Sequence, residues 1–229
     1  MGKMGNGKRK IGTITIGQSP RSDMIPEIQA ILGNDVEIIE AGALDDLTRG
    51  QIAEIAPKPG DYVLVTRLRD GSSVQVAEHH ILPLMQGHID RVIEKGAEVV
   101  ALVCTGEFPA FKTSRLLLEP QKVLYHFVAG IARGRRVGVV VPVPEQIEET
   151  IKRWKTVGGS ALQVEAASPY KDVSELEEAS SRLKGWGAEL VVLDCMGFTT
   201  AMKARAAELT GVPVVLPRTV LARTLSELL

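Results

Sequence analysis

The chain contains only two cysteines, and each ends an apolar run in one of two similar segments. Residues 94–108 read EKGAEVVALVCTGEF, and residues 185–199 read GWGAELVVLDCMGFT. Aligned from Gly96 and Gly187, both run Gly-Ala-Glu, an apolar stretch, Cys, one variable residue and Gly. A thiol has an ordinary pKa of about 8.5, so it can both accept and return a proton near neutral pH. Two thiols facing each other across a cleft could therefore invert a carbon centre, one on each face.

The positions of Cys104 and Cys195 favour reactive thiols over structural ones. In open parallel sheets, ligands bind beyond the carboxyl ends of the strands, and both cysteines lie there. A helix start and free backbone N–H groups at this edge would lower the pKa of each thiol. Two other interpretations stay open. The cysteines could be small buried apolar side chains, or they could form a redox pair.

A second group of candidates follows the first predicted strand. In GQSPRSD, residues 17–23, Ser19 is typical of a helix N-cap and Pro20 of a first helical residue. A helix start binds anions through its free N–H groups, and Arg21 could hold a carboxylate. A well-made helix cap beside a solvated arginine explains the same residues.

A third group lies in TRLRDGSS, residues 66–73, after another predicted strand. Thr66 and Arg67 stand at the strand end, and Asp70 and Ser72 belong to a turn that offers several donors. Two arginines near a cleft, Arg67 and Arg69, would suit a ligand that carries a carboxylate. The alternative is a polar turn at the surface.

The second half offers counterparts at its own strand ends. Glu145, Ser168 and Tyr170 follow predicted strands and could reach the same cleft. Turn and cap chemistry accounts for these three residues equally well.

Short runs rich in Val and Ile alternate with helical patterns along the chain. The predicted strands are 11–17, 36–41, 62–66, 99–104, 136–142, 162–167, 189–194 and 212–216. The predicted helices are 20–32, 44–55, 78–95, 120–133, 144–157, 174–186, 199–209 and 217–229. This alternation predicts an α/β fold with mainly parallel sheet, and the nearly continuous apolar strands fit sheets that are covered on both faces.

The repeat extends beyond the cysteine segments. Each half opens with a basic residue, a strand, a turn ending in proline, an amphipathic helix and a second strand. The repeat spacing, from residue 96 to residue 187, suits a small α/β domain better than a solenoid unit. We therefore predict two similar domains, 10–111 and 116–216, with a C-terminal helix, 217–229, that returns to the first.

Composition excludes several classes of partner. The formal net charge is −1 over 229 residues, which indicates neither a nucleic-acid nor a membrane-surface partner. The basic stretch 1–10 lacks the apolar segment of a signal peptide, so we expect a frayed end and a cytoplasmic protein. The histidines do not pair with the cysteines at zinc-ligand spacing, so no metal is expected. His79, His80 and His126 are expected in surface or packing roles.

With these residues identified, the chain resembles the AroM family. The segments TIGQSPRSDM, TRLRDGSSV, CTGEFP and DCMGFT carry the resemblance, which extends over nearly the whole chain from about residue 10. More distantly, the chain is similar to the aspartate/glutamate racemase superfamily. That resemblance implies two pseudo-symmetric Rossmann-like lobes with an active-site cleft between them, one catalytic cysteine in each lobe, no cofactor, and a homodimer.

The triplets at the two cysteines differ from those of the amino-acid racemases, which have Cys-Asn-Thr and Cys-Thr-His. Here they are Cys-Thr-Gly and Cys-Met-Gly. Gly106 and Gly197 leave backbone N–H groups accessible, a pattern that suits a carboxylate better than an ammonium group.

The resulting hypothesis is a cofactor-independent racemase- or isomerase-like enzyme that acts on a small carboxylate. Its catalytic residues would be Cys104 and Cys195. The expected substrate-binding residues are Ser19, Arg21, Thr66, Arg67, Asp70, Ser72, Thr105, Gly106, Met196, Gly197 and Phe198. The alternative hypothesis is a non-catalytic binding or regulatory protein that uses the same cleft.

Overall fold

The computed structural model of the chain describes residues 8–156 and 161–229. The predictions for residues 1–7 and for position 157 lie outside these ranges. The first half contains, in chain order, β1 (Arg9–Thr15), α1 (Ile25–Leu32), β2 (Val36–Gly42), α2 (Arg49–Glu54), β3 (Val63–Arg67), β4 (Ser73–Ala77), α3 (Glu78–Glu94), β5 (Val99–Leu102) and β6 (Leu116–Leu118). The second half contains α4 (Pro120–Ile131), β7 (Arg136–Val141), a 3-10 turn (Pro144–Gln146), α5 (Ile147–Thr156), β8 (Ala161–Ala166), α6 (Ser174–Trp186), β9 (Leu190–Leu193), α7 (Thr200–Thr210), β10 (Val214–Val215) and α8 (Pro217–Ser226).

The strands form two four-stranded parallel sheets with the same internal order. The first sheet has the order β2-β1-β5-β6, and the second has the order β8-β7-β9-β10. We call each sheet, with the helices packed on it, a lobe. Because β1 corresponds to β7 and β5 to β9, the two lobes are pseudo-symmetric. The predicted α/β fold, with two such lobes and mainly parallel sheets, is confirmed.

The central strands are buried because helices cover both faces of each sheet. In β1, Ile11 and Ile14 point to opposite faces and are both fully buried. Ile14 packs in a cluster with α3, whereas Ile11 packs in a cluster with α1 and α8. This two-sided burial explains why the strands read as continuous apolar runs in the sequence.

Two helices are exchanged between the lobes. The helix α4 follows the last strand of the first sheet, yet its Leu124 and Val128 pack against the second sheet. The helix α8 follows the last strand of the second sheet, yet its Leu221 and Leu225 pack against the first. The two helices also contact each other. The helix that follows the last strand of each sheet therefore packs on the other sheet.

Two of the observed strands, β4 and β6, were not predicted from the sequence. The strand β4 pairs antiparallel with β3 in a separate hairpin, so the predicted strand 62–66 does not belong to a main sheet. The strand β6 pairs parallel with β5, so residues 116–118 lie in the first sheet. The division into domains at 111 and 116 stays a prediction.

The predicted start of the first helix is wrong. The helix α1 begins at Ile25, with Met24 at the N-cap position, not at Ser19-Pro20. Ser19 instead donates from its backbone N–H and its hydroxyl to the carboxylate of Asp45, at 2.7 and 2.6 Å. A tertiary partner thus takes the side chain that was expected to cap the helix.

Within the described ranges, no helix is both long and apolar enough to cross a membrane.

The packing of α8 gives a prediction about stability. Leu221 is fully buried in the first lobe, whereas Leu228, just beyond the helix, is 38% exposed. We expect Leu221→Ala to lower the free energy of unfolding by about 2–5 kcal/mol, because it leaves a cavity. The matched change Leu228→Ala should alter it by less than about 0.5 kcal/mol. Denaturant unfolding measures both, and equal effects would contradict the described packing.

Candidate active site

The two cysteines occupy equivalent places beyond the central strands of the two lobes. Cys104 lies two residues after the end of β5, and Cys195 lies two residues after the end of β9. The residue before each cysteine donates its backbone N–H to the neighbouring strand, Val103 to Ile14 and Asp194 to Val140, both at 2.8 Å. The predicted repeat therefore places both thiols at the carboxyl edges of the sheets.

Each sulfur accepts a hydrogen bond from the glycine two residues further on. The Gly106 N–H lies 3.3 Å from the Cys104 Sγ, and the Gly197 N–H lies 3.4 Å from the Cys195 Sγ. A side chain at position 197 would collide with the neighbouring loop, because its Cβ would lie 2.6 Å from the Tyr170 hydroxyl oxygen. Position 197 therefore requires glycine, because the loop at Tyr170 approaches the backbone there too closely for a side chain.

Both cysteines line one cavity between the lobes. Its volume is about 30 Å³, which is the share of a single water molecule in the liquid. The first lobe contributes Cys104, Thr105 and Gly106, and the second contributes Asp194 and Cys195. The arrangement brings the two thiols to one narrow space, which in this conformation has room for water but not for an organic substrate.

A larger pocket of about 420 Å³ lies beside this cavity. Tyr62 and Arg153 line both spaces. The guanidinium of Arg153 donates to the Tyr62 hydroxyl and lies over the Tyr62 ring, 5.0 Å from its centroid. Since Tyr62 precedes β3 and Arg153 lies on α5, this pair forms an interlobe wall between the outer pocket and the thiols.

The prediction that the thiol pKa values are lowered is wrong. Burial raises the pKa of Cys104 to about 12 and that of Cys195 to about 11, and this outweighs the hydrogen bonds from Gly106 and Gly197. Neither thiol lies at a helix start within the described chain, because residues 103–115 form no helix and α7 begins only at Thr200. Both thiols are therefore protonated at neutral pH in this conformation.

Arg21 is buried, with 3% of its surface exposed, and it bridges the two lobes. It pairs with Asp23 through Nε and Nη2 at 2.8 Å, and its Nη2 also donates to the Tyr170 hydroxyl at 3.1 Å. Its Nη1 donates to Thr15 at 2.8 Å and reaches Thr66 at 3.5 Å. Burial alone would lower the pKa of Arg21. The interactions with Asp23 and Tyr170 together have a larger effect in the opposite direction, so the pKa lies above its usual value.

Other predicted binding residues surround Arg21. Ser19 is held by Asp45, and Thr66 is buried under the guanidinium of Arg21. Arg67 donates to the Gly71 carbonyl, and its guanidinium lies 5.6 Å from the Tyr170 ring centroid. These residues lie beside the interlobe contact at Tyr170 and do not line the two-cysteine cavity.

Four further predicted residues also lie away from the cavity. Asp70 and Ser72 are exposed in the β3–β4 turn, where the Ser72 hydroxyl and backbone N–H donate to the Asp70 carboxylate. Met196 packs against α8, and Phe198 is fully buried in the core of the second lobe. The Met196 carbonyl accepts two bonds from Arg218.

Of the three candidates predicted in the second half, two lie at the interlobe contact and one does not. Tyr170 reaches the interlobe contact through Arg21, and the Ser168 hydroxyl accepts from the Tyr170 backbone N–H at 3.2 Å. Glu145 is exposed in the 3-10 turn that precedes α5.

Sequence reasoning missed Tyr62, Arg153 and Asp194. Nothing local marks Tyr62 or Arg153, because their pairing joins residues that are far apart in the chain. Asp194 did carry a local indication, since it stands where the repeat has Val103 in the first lobe. Among residues 8–156 and 161–229, no cluster of three or more His, Cys, Asp or Glu side chains could hold a metal ion.

Comparison with known proteins supports this fold. A family model described as AroM protein matches residues 11–229. Among curated sequences, none is similar enough to count as a match.

Several solved structures share the architecture at low sequence identity. A liganded double mutant of arylmalonate decarboxylase has 16% identity and a TM-score of 0.62, over 96% of this chain and 93% of that chain. Allantoin racemase from Pseudomonas fluorescens has 14% identity and a TM-score of 0.61, over 95% and 89%. The aspartate racemase of Picrophilus torridus has 10% identity and a TM-score of 0.62, over 96% and 93%. At these identities the likeness shows the fold.

The raised thiol pKa gives a prediction about reactivity. In a Cys195→Ser variant, we expect alkylation of Cys104 by iodoacetamide to accelerate about tenfold per pH unit between about pH 7 and about pH 10, because only the thiolate reacts. The measurement is the alkylation rate by mass spectrometry, with circular dichroism to verify folding at each pH. A rate that levels off near pH 9 would indicate an ordinary thiol.

Proposed function

The chain belongs to the AroM family, and from that premise we propose that it is a cofactor-independent, racemase- or isomerase-like enzyme acting on a small carboxylate. The observation that carries the proposal is the placement of Cys104 and Cys195. Each sulfur lies beyond a central strand of its own lobe, each accepts from a glycine N–H, and both line one cavity. Two proton-transferring groups from opposite lobes are what inversion of a carbon centre requires.

The structural neighbours support the proposal through the reactions that their names state. One is a decarboxylase of arylmalonate, and two are racemases of allantoin and aspartate. Arylmalonate and aspartate are carboxylates. The proposed substrate class for this chain follows from that comparison. The expected free N–H groups do not support it, because Gly106 and Gly197 donate to the two sulfurs.

In the proposed reaction, one cysteine acts as a thiolate and removes the proton from the carbon next to the substrate carboxylate. The other cysteine, as a thiol, gives its proton to the opposite face of the same carbon. One S–H bond forms and one breaks, so the pair ends with the proton on the other sulfur. The proposed chemistry requires no cofactor, only positioning.

The high thiol pKa values make the reactive form rare but strongly basic. With the pKa of Cys195 at about 11, roughly one molecule in 10⁴ carries that thiolate at pH 7. The charge of Arg21 favours the thiolate of either cysteine. A strong base suits the removal of a proton from carbon, which is weakly acidic.

Substrate entry requires movement of the interlobe wall. The cavity holds about one water molecule, whereas the outer pocket, at about 420 Å³, has the size of a small ligand. In the proposal, separation of Tyr62 from Arg153 joins the two spaces. The substrate then contacts Thr105 and Gly106, which line the cavity.

The proposal extends to the setting of the enzyme. We place it in the cytoplasm as a homodimer, with a small carboxylate as its ligand. The family resemblance is the support for the dimer, and neither nucleic acid nor membrane is a partner in this proposal.

A second candidate function is a non-catalytic protein that binds a small molecule in the same cleft. The observation that favours it is the protonation of both thiols, since neither is poised as a base in the ligand-free state. Exchange at a substrate carbon distinguishes the two candidates.

The proposed chemistry predicts hydrogen exchange. In D₂O, with a panel of small chiral carboxylates, the protein should introduce deuterium next to the carboxylate of its substrate, detected by NMR. Cys104→Ser and Cys195→Ser should each slow the exchange by at least about 10²-fold, because each removes a proton-transfer group. A surface change, Ser181→Ala on α6, serves as the control and should leave the rate unaltered.

Two outcomes would count against the enzyme. Exchange that persists in both cysteine variants would exclude the thiols as the acid/base pair. Binding of a carboxylate without any exchange would favour the non-catalytic candidate.

A further inference from the structure

A buried carboxyl group lies next to the second thiol. Asp194 immediately precedes Cys195, lines the same cavity and is 7% exposed. Its counterpart in the first lobe is Val103, which packs in an apolar cluster. The second lobe therefore has a carboxyl group where the first lobe has an apolar side chain, and this group lies at the cavity that both thiols line.

The two oxygens of this carboxyl group have different environments. Oδ2 accepts from the Trp154 Nε1–H at 3.1 Å and from the Tyr125 hydroxyl at 3.4 Å. Neither Trp154 nor Tyr125 lines the cavity. Oδ1 is buried and has no hydrogen-bond partner among the described residues. Since Oδ2 is turned to α4 and α5, Oδ1 is the carboxyl oxygen left without a partner beside the closed cavity, and a ligand reaches it when the cavity opens.

This geometry disfavours a charged carboxylate. A buried carboxylate is stabilised when both oxygens accept hydrogen bonds, and here one oxygen accepts none. In a neutral carboxyl group, Oδ2 acts as the carbonyl-type acceptor for Trp154 and Tyr125, and the proton is carried by Oδ1. That proton is then available to a ligand in the cavity.

We propose that Asp194 is a neutral carboxylic acid that donates a hydrogen bond from Oδ1 to an oxygen atom of the ligand between the two thiols. The proposal rests on the proposed function in one respect, namely that the ligand is a carboxylate. During proton removal, negative charge develops on the carboxylate oxygens of the substrate. A neutral carboxyl donor in a buried site stabilises such charge without adding a negative charge of its own.

The groups around Asp194 are consistent with a neutral state. Burial raises its pKa and outweighs the lowering effects of the Trp154, Thr105 and Tyr125 side chains and of the Arg153 charge. The titratable or charged groups that face it come from five segments: Tyr62 before β3, Cys104 after β5, Tyr125 on α4, Arg153 on α5 and Cys195 after β9. A charged Asp194 would raise the pKa of both thiols, so its neutrality makes either thiolate easier to form.

Infrared difference spectroscopy of the full chain tests the protonation directly. The comparison of wild type with Asp194→Asn at neutral pH should show the carbonyl band of a protonated carboxyl group in wild type only. Addition of acetate, as a probe carboxylate, should shift this band. A missing band, or a band that acetate and the substrate panel leave unmoved, would overturn the proposal.

Thiol alkylation gives an independent test that needs no substrate. In the Cys195→Ser background, Asp194→Asn should change the rate of Cys104 alkylation at pH 7 by less than about twofold, because no charge is removed. An acceleration of about tenfold or more would show that the aspartate was ionised, and would overturn the proposal.

A pair of variants tests the role in catalysis. Asn at position 194 keeps a donor towards the cavity, whereas Val reproduces the residue found at 103. Deuterium exchange should be at least about tenfold slower in Asp194→Val than in Asp194→Asn, since one donor to developing charge is worth about 10²–10³-fold. Equal rates would refute the donor role.

The infrared measurement requires no turnover, so it separates this inference from the proposed function. If the protein catalyses exchange but shows no band of a protonated carboxyl group, only this inference is refuted. If the band is present and shifts with acetate but no exchange occurs, only the proposed function is refuted.

Discussion

The burial of two thiols and a carboxyl group in one small cavity is the constraint on which the rest of the site depends. Each charge in that space lacks water, so burial raises the pKa of Cys104, Cys195 and Asp194 together. A thiolate on one cysteine also opposes a thiolate on the other. The cavity therefore disfavours one negative charge and opposes a second one still more strongly. Two-sided proton transfer needs a thiol pair in which one sulfur is deprotonated and the other carries its proton.

The fold holds these groups in place through contacts that cross between the lobes. The helices α4 and α8 each follow the last strand of one sheet and pack on the other sheet. Arg21 reaches Tyr170, and Arg218, which is 1% exposed, joins the Met196 carbonyl beside Cys195 to the Asp23 carbonyl in the first lobe. These buried links fix the thiol-bearing loops. The pair of Tyr62 and Arg153 stands at the border of the outer pocket, where movement can admit a ligand.

The sequence repeat was enough to predict the matched cysteines and the two parallel sheets, because apolar strands and their end residues are local features. The short strands β4 and β6 escaped notice, since pairing with a neighbour rather than composition defines them. Ser19 looked like a helix cap, but Asp45 takes its hydroxyl. The thiol pKa values were predicted in the wrong direction because burial, a tertiary property, outweighs the glycine N–H bonds. For the same reason, the partners of Asp194 on α4 and α5 could not be inferred from the residues around Cys195.

In the proposed mechanism, one cysteine serves each face of the substrate carbon. The most direct measurement follows deuterium exchange separately from each enantiomer of the substrate, in Cys104→Ser and in Cys195→Ser. A reciprocal pattern is expected, in which each variant loses exchange mainly from the enantiomer whose proton its missing thiol removes. If both variants affect both enantiomers equally, or if neither affects exchange, the two-sided assignment is contradicted.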